Sequence, residues 1–555
     1  MKRLKKAMAM VFVGIMFATC AFGCGGKNDD KKKDATKTQL YVEVVDVGTG
    51  TKYVENLAKR FEEYVKDISY ETGKTGVEIR LTPRKGYLSV DSFTAKEYDV
   101  FFNYGAAALQ DWIRDGHVLD ITGVTEEKLT KFGETRSVKD KMFEGADNYY
   151  GRDGKIYALP NFIYPYGFSY DQQVFEDEKL YFKEGGGFTN GKNNDKAAGQ
   201  DGIKGTYDDG LPRTYDEFFT LCDKMIDKGL QPMTWTGTYR DYYLECFMQS
   251  LHADAGGYDA TRMLYTFDGE ATDLIESIGA DGKLTFKPKT TITNKNGYEL
   301  WSQSGIYYAT SFMERMLKKN AKGNYYYDYN KQHGTYSNIE AEEDFLMTPY
   351  ESTSKTIAML VEGTYWENEI AEYGTFDYMS GTYEGASRAE RRLAYMPFPK
   401  PTEELVGTGH TVIDDNYGVV LGNNHMDDFK KDLAREFIQF CYTDESLQDS
   451  TVTTSLFFSM DYKLSEENYN KLSNYGKTVA DLMMADDTKV VVAMTKNPLY
   501  MDNISGFDAH RRYTSTVCEK MFKGLADNEY TAKQVFEGMK EYRQKGWSDY
   551  SKYFK

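Results

Sequence analysis

The chain has 555 residues and a formal net charge of −18, from 86 acidic against 68 basic side chains. That balance argues against a nucleic-acid binder and against direct adhesion of the folded body to anionic lipid. The length exceeds what one hydrophobic core usually supports, so two lobes are expected. Aromatic usage is uneven, with 46 Tyr and 32 Phe but 5 Trp, and tyrosine suits a surface that is both apolar and hydrogen-bonding.

In chain order, Lys2, Arg3, Lys5 and Lys6 precede an apolar run from Ala7 to Ala21. The run is shorter than the about 20 residues that span a bilayer, so residues 1–23 are expected to be a secretory leader. Ala21-Phe22-Gly23-Cys24 resembles the lipobox of bacterial lipoproteins, with Ala21 where leucine is usual. The resemblance implies a lipid on Cys24; Cys20 is a poorer candidate, because Thr19 would occupy the cleavage position. An ordinary secreted protein is the alternative. Residues 24–38 are dominated by Lys, Asp, Asn, Gly and Thr and read as a disordered tether.

Tyr41 to Val47 reads as a strand, Gly48 to Thr51 as a loop. Val54, Leu57, Ala58, Phe61, Val65 and Ile68 then mark one face of a helix. Val77 to Pro83 and Tyr98 to Phe102 are further strands, and a helix follows near Ala107 to Arg114. Strands alternating with helices predict an α/β lobe with a largely parallel sheet. Gly48-x-Gly50-x-x-Tyr53 is a dinucleotide fingerprint lacking its third glycine, and no nucleotide cofactor is expected. Asp153-Gly154 is a hairpin signal. Thr214-x-x-Glu217 and Thr531-x-x-Gln534 are capping boxes. Cys222, Cys246, Cys441 and Cys518 read as buried structural thiols rather than a disulfide framework.

Several stretches in order resemble family 1 extracellular solute-binding proteins, the receptors of ABC sugar importers. They are "YVENLAKRFEE" after the glycine loop, "YDVFFNYGAAALQDWIRDGHVLDIT" from Tyr98, "DGKIYALPNFIYPYGFSYDQQVF" from Asp153, "GLPRTYDEF" from Gly210 and "KTIAMLVEGTYW" from Lys355. "LAYMPFPK" from Leu393 and "YGVVLGNN" from Tyr417 complete the series. The resemblance implies a two-lobed, periplasmic-binding-protein-like α/β fold (type II), with hinge strands and a ligand cleft between the lobes. The chain should cross between them more than once, placing lobe 1 at 39–158 plus 412–455 and lobe 2 at 159–411 plus 456–555. Phe182 to Gly210 and Tyr298 to Tyr336 are expected to carry length beyond the family's usual size.

A sugar offers C–H groups on its faces and hydroxyls around its rim, so aromatic planes and carboxylate or amide groups are the expected contacts. Trp235 and Tyr239 stand in a Thr/Gly-rich loop, "QPMTWTGTYRDYY", while Trp366 and Glu362 flank Tyr365 at the end of a strand the family places at the cleft. For each tryptophan, packing between lobes is the competing reading. Asn103 and Tyr104, and Asp46 and Thr49, end strands where open α/β sheets bind ligands; Tyr166 follows the expected hinge. Trp112 and Trp547 read as core. Asp201, Asp208 and Asp209 lie in a glycine-rich turn that fails the EF-hand pattern and reads as a solvated turn, with a non-EF calcium loop as the alternative. The histidines at 117, 252, 333, 410, 425 and 510 form no H-E-x-x-H pair, and no G-x-S-x-G or P-loop occurs. The expectation is a monomeric, lipid-anchored carbohydrate receptor on the extracytoplasmic face, with an ABC permease as partner and no cofactor, metal or catalysis. A peptide or other polar-solute receptor is the alternative, and a surface glycoside hydrolase a more remote one.

Overall fold

The computed structural model describes residues 33–104, 108–319, 321–327, 334–414, 418–493 and 521–553. The leader, Cys20 and the lipidation candidate Cys24 lie outside the described residues, as do Cys518, His333 and His510.

Nine strands build the two main sheets. They are β1 (Thr38–Val45), β2 (Val77–Arg84), β3 (Val100–Tyr104), β4 (Ala158–Pro160) and β5 (Tyr166–Asp171). Then come β6 (Gln231–Thr234), β7 (Ile357–Gly363), β8 (Leu393–Met396) and β9 (Gly418–Gly422). Five helices position the site: α1 (Lys52–Tyr64), α2 (Arg240–Gly256), α3 (Asn338–Met347), α4 (Trp366–Glu372) and α5 (Asp428–Cys441). The first sheet has the order β2-β1-β3-β9-β4 and the second β6-β7-β5-β8, which gives the chain its two α/β lobes.

β1 is parallel to β2 and to β3, as the strand-helix alternation predicts. The rest is mixed rather than largely parallel: β9 runs antiparallel to both β3 and β4, and β5 antiparallel to both β7 and β8. β9 enters the first sheet from a far part of the chain, so no local crossover fixes its direction. Both sheets are covered on two faces. Along β3, Val100 and Phe102 face one core while Phe101 faces the other, and along β9 Val420 opposes Val419 and Leu421; the two-residue period explains why such strands read as continuous apolar runs.

Two short pairings lie outside the two main sheets. Phe162–Ile163 pairs antiparallel with Phe457–Phe458, and Thr411–Asp414 pairs parallel with Lys489–Val492. The second is tied to α2 by Asp254, which is buried. Its Oδ1 accepts from His410 Nδ1 at 2.9 Å and from the Thr411 N–H at 3.1 Å, and its Oδ2 accepts from Lys400 Nζ at 3.0 Å. Burial opposes ionisation of Asp254, but Lys400 and His410 prevail and hold its pKa at about 2.

Local signals behave as the sequence predicts. Gly151–Arg152 pairs with Lys155–Ile156 around Asp153 and Gly154, whose φ values are 52° and 78°. Thr214 and Thr531 each accept a hydrogen bond at a helix N-terminus, from the N–H groups of Glu217 and Gln534; the full box closes at Thr531, whereas the Glu217 carboxylate accepts from the Arg213 N–H and guanidinium instead. Cys222 and Cys441 are buried free thiols, and Cys246 is a half-buried thiol. No described helix is long and apolar enough to cross a membrane.

Candidate functional site

The loop after β1 meets the β7–α4 turn across the space between the lobes. Gly48 and Gly50 have φ of +58° and +65°, and a Cβ on Gly48 would stand 3.0 Å from the Tyr365 ring. Gly50 lies against the carboxylate of Glu372. Only glycine combines this backbone with so close an approach. Asp46 is half-buried beside this loop, and its N–H donates to the Arg84 carbonyl at 2.9 Å. Thr49 is buried, its hydroxyl donating to the Val47 carbonyl at 3.2 Å.

A chain of tyrosine rings crosses from one lobe to the other. Tyr87 meets Tyr104 at the end of β3 with ring centroids 6.5 Å apart, and Tyr104 meets Tyr164 at 6.4 Å. Tyr164 packs edge-on to Tyr365 at 5.4 Å, and Tyr365 to Tyr166 at 6.2 Å. Tyr166 then packs edge-on to Tyr243 at 5.8 Å, and Tyr243 stacks with Tyr239 at 6.2 Å. The hydroxyls of Tyr104 and Tyr164 share a hydrogen bond, and those of Tyr166 and Tyr365 share another at 3.0 Å. The ends of this chain are open to solvent: Tyr87 is 75% exposed and Tyr239 53%.

Beneath the rings lie carboxylates. Glu362, on β7, is 1% exposed; its Oε1 accepts from the Gly363 N–H at 2.9 Å and from the Tyr365 hydroxyl at 3.0 Å, while Oε2 has no donor. Glu342, on α3, is fully buried, and its side-chain hydrogen-bond partner is another carboxyl, that of Glu369. Glu369, on α4, accepts from Asn338 Nδ2 at 2.8 Å. Burial pushes Glu342 well above the usual carboxylate range, and Glu369 and Glu362 push it further. Burial likewise raises Glu362, aided by Glu369 and opposed by the Gly363 N–H and the Tyr365 hydroxyl. Burial also raises Glu369 and, with the charge of Asp46, Glu372.

The residues singled out from sequence divide into two groups. Tyr104, Tyr166, Tyr239 and Glu362 belong to this tyrosine and carboxylate arrangement, with Asp46 and Thr49 at its lobe 1 edge. Asn103 is fully buried instead, its amide donating to Glu43 Oε1 at 2.9 Å, and Glu43 is held on its other oxygen by Arg84 at 2.8 Å. Trp235 and Trp366 are both 0% exposed. Trp366 is packed between Phe345 at 5.6 Å and Tyr475 at 5.5 Å, and Trp235 lies against Tyr326 at 5.2 Å. The loop after Trp235 is covered because the N–H groups of Gly237 and Thr238 donate to the Tyr336 carbonyl, at 2.7 and 2.9 Å. In this structure neither indole offers a face to a ligand, and the open rings of the tyrosine row are those at its ends, Tyr87 and Tyr239.

Tyr164, Tyr243, Glu342, Glu369 and Glu372 were not singled out from sequence. Tyr243 follows Tyr239 by one helical turn, which is a usable signal. Glu342 falls on the same helix face as Phe345 and Leu346, the one carboxylate of "EAEED" on an apolar stripe.

The 201–209 turn is closed on itself. Asp208 accepts from the Asp201 N–H at 3.0 Å and the Thr206 hydroxyl at 2.7 Å, Asp209 from the Gly205 N–H at 2.8 Å, and Asp201 from the Ile203 N–H at 2.7 Å. Among the described residues, no group of three or more His, Cys, Asp or Glu side chains is arranged to hold a metal ion.

Two α/β lobes that both lend side chains to one row of tyrosines define a two-lobed fold. The bacterial extracellular solute-binding protein family matches residues 48–448, and the chain belongs to that family. Among solved structures, one described as a chitin oligosaccharide binding protein is 16% identical, with 93% of this chain and 100% of that chain covered at a TM-score of 0.52. A second, from work on xylan utilization by the thermophilic bacterium Caldanaerobius polysaccharolyticus, is 13% identical, with coverages of 91% and 99% and a TM-score of 0.52. A third, RafE in complex with raffinose, is 13% identical, with coverages of 90% and 98% and a TM-score of 0.50. At such identities the likeness concerns the fold. No curated protein sequence matches this chain.

Proposed function

We propose that this protein captures an oligosaccharide between its lobes and delivers it to the membrane subunits of an ABC importer, without catalysing a reaction. A lipid on Cys24 would hold it at the extracytoplasmic face of the membrane, on the tether of residues 24–38. The bodies that close are taken as 39–158 plus 412–455 and 159–411 plus 456–555. The observation that carries the reading is the unbroken row of tyrosines from Tyr87 to Tyr239, which draws on both lobes. Tyrosine rings accept the apolar faces of sugar units, and the flanking Asp46, Glu362 and Glu372 accept hydroxyls. A ligand that touches both lobes only when they approach shifts the population toward the closed form, which a permease can distinguish. The fold of the solved structures named above, described with chitin oligosaccharide, xylan and raffinose, supports a carbohydrate over other solutes.

Calorimetric titration with plant, milk and starch oligosaccharides tests the proposal. Saturable binding of at least one is expected. Binding of peptides with none of the sugars would overturn the carbohydrate reading, and release of shorter sugars on overnight incubation would overturn the non-enzymatic one.

A further inference from the structure

The row of tyrosines is open at its two ends and closed between them. Tyr164, Tyr166 and Tyr243 are buried, and Tyr104 and Tyr365 are half-buried. These rings pack on one another. Their hydroxyls are paired as well, Tyr104 with Tyr164 and Tyr166 with Tyr365, and Tyr365 also bonds Glu362. A sugar unit needs a ring face that no neighbour covers, and such faces are found at Tyr87 and Tyr239. Tyr242 joins the second end; it is 62% exposed and packs edge-on to Tyr243 at 5.9 Å. Large rings left open as a group beside a cleft mark a place where something docks.

Both ends are held in place by the backbone. Tyr87 follows β2 of the first sheet; its ring rests on Tyr104, and the neighbouring Leu88 N–H donates to the Tyr104 carbonyl at 3.3 Å. Tyr239 and Tyr242 stand at the start of α2, which follows β6 of the second sheet. The Tyr239 N–H donates to the Thr236 hydroxyl oxygen at 3.3 Å, and its carbonyl accepts from the Tyr243 N–H at 3.0 Å. Between these two tyrosines Arg240 and exposed Asp241 pair at 2.7 Å. Lys85, also exposed, stands just before Gly86 and Tyr87. Each end therefore offers what a sugar unit uses, an open ring for its face and charged groups for its hydroxyls.

From this geometry we infer that the ligand is a chain of several sugar units resting on both ends at once, one part on Tyr87 and another on Tyr239 and Tyr242, with the units between crossing the mouth of the cleft. This rests on the carbohydrate reading above and narrows it to longer chains. Tyr104, Tyr164, Tyr365, Tyr166 and Tyr243 separate Tyr87 from Tyr239, with neighbouring ring centroids 5.4 to 6.5 Å apart. That spacing is comparable with one sugar unit and sets the upper limit of the span. A mono- or disaccharide fills one end. Once a longer chain is seated on one end, its contact with the other is intramolecular, so affinity rises without a tighter contact at either. The same chain then holds the two lobes together.

The experiment is calorimetry with cello-, malto-, xylo- and N-acetylchito-oligosaccharide ladders, each from dimer to heptamer, and with raffinose as a short sugar. The proteins are the parent, Tyr87→Ala and Tyr239→Ala/Tyr242→Ala. In the ladder that binds, affinity is expected to rise at least about tenfold from the dimer to the longer chains. Each variant should weaken the longest chain by about tenfold or more, while the dimer responds to no more than one of them. The replaced rings are exposed, so the variants should melt with the parent. A dimer that binds as tightly as the heptamer overturns the inference and leaves the carbohydrate reading standing. Folded variants that bind long chains as the parent does, or a dimer weakened by both variants, overturn it equally. Binding of raffinose with failure of every ladder removes the long chain alone. Failure of every sugar overturns the carbohydrate reading and this inference with it.

Discussion

Glu342→Gln changes one atom of a fully buried side chain, and its effect on stability separates two accounts of the acidic cluster without any ligand. Burial, Glu369 and Glu362 all raise the folded-state pKa of Glu342 above its ordinary value of 4.5. A carboxyl raised in this way stabilises the fold fully below pH 4.5. That contribution is lost as pH rises from there toward the folded pKa, because the folded protein keeps a proton that the unfolded chain has shed. Each pH unit of that window costs about 1.4 kcal/mol per retained proton. Glutamine has the same shape and no proton to lose. The variant should therefore gain on the parent as pH rises, and its stability should fall less steeply with pH above 4.5. Scanning calorimetry at half-unit pH steps reads both quantities. Lower stability of the variant at every pH, with an unchanged slope, would refute the reasoning and show that Glu342 is an ionised group with a cationic partner.

Asp254 predicts the opposite limb. Its pKa is held at about 2, below the ordinary 3.8, so the stability it contributes is present above pH 3.8 and lost as pH falls toward 2, about 2 kcal/mol in all. Acid titration of Asp254→Asn should lack that transition; an unchanged acid limb would contradict the assignment. Trp366→Ala removes a side chain enclosed by Phe345 and Tyr475 and should cost about 3–5 kcal/mol of stability; an unchanged melting temperature with weakened sugar binding would instead return the indole to the ligand. Cys24→Ala should abolish labelling by radioactive palmitate and release the protein to the medium, and continued labelling would move the lipid to another cysteine, Cys20 first.

The fold was largely legible because its signals are local or periodic. The buried face of α1, Val54, Leu57, Ala58 and Phe61, is the face its spacing marks, and the 153–154 hairpin and both threonine caps need only adjacent residues. The direction of β9 was not legible, since its partners β3 and β4 lie far away in sequence. At the site, Tyr239 and Glu362 could be found from the elements that end beside them. Trp235 was singled out for its small-residue loop and Trp366 for its place after a strand end, and neither signal reports what covers the ring. Tyr326, Tyr336, Phe345 and Tyr475 do cover them, and they come from segments whose packing no local pattern encodes. Glu342 was hidden for the converse reason: in an acidic helix every carboxylate looks solvated until the face that packs on β7 is known.

The central claim is that a sugar is held between the lobes by residues of both. Hydrogen–deuterium exchange of the protein, alone and saturated with the tightest-binding oligosaccharide, tests it most directly. Protection is expected together in 46–53 and the Tyr87–Tyr104 region of the first lobe, and in 164–170, 239–245 and 357–374 of the second. Protection confined to one lobe, or appearing away from these segments, would contradict the account.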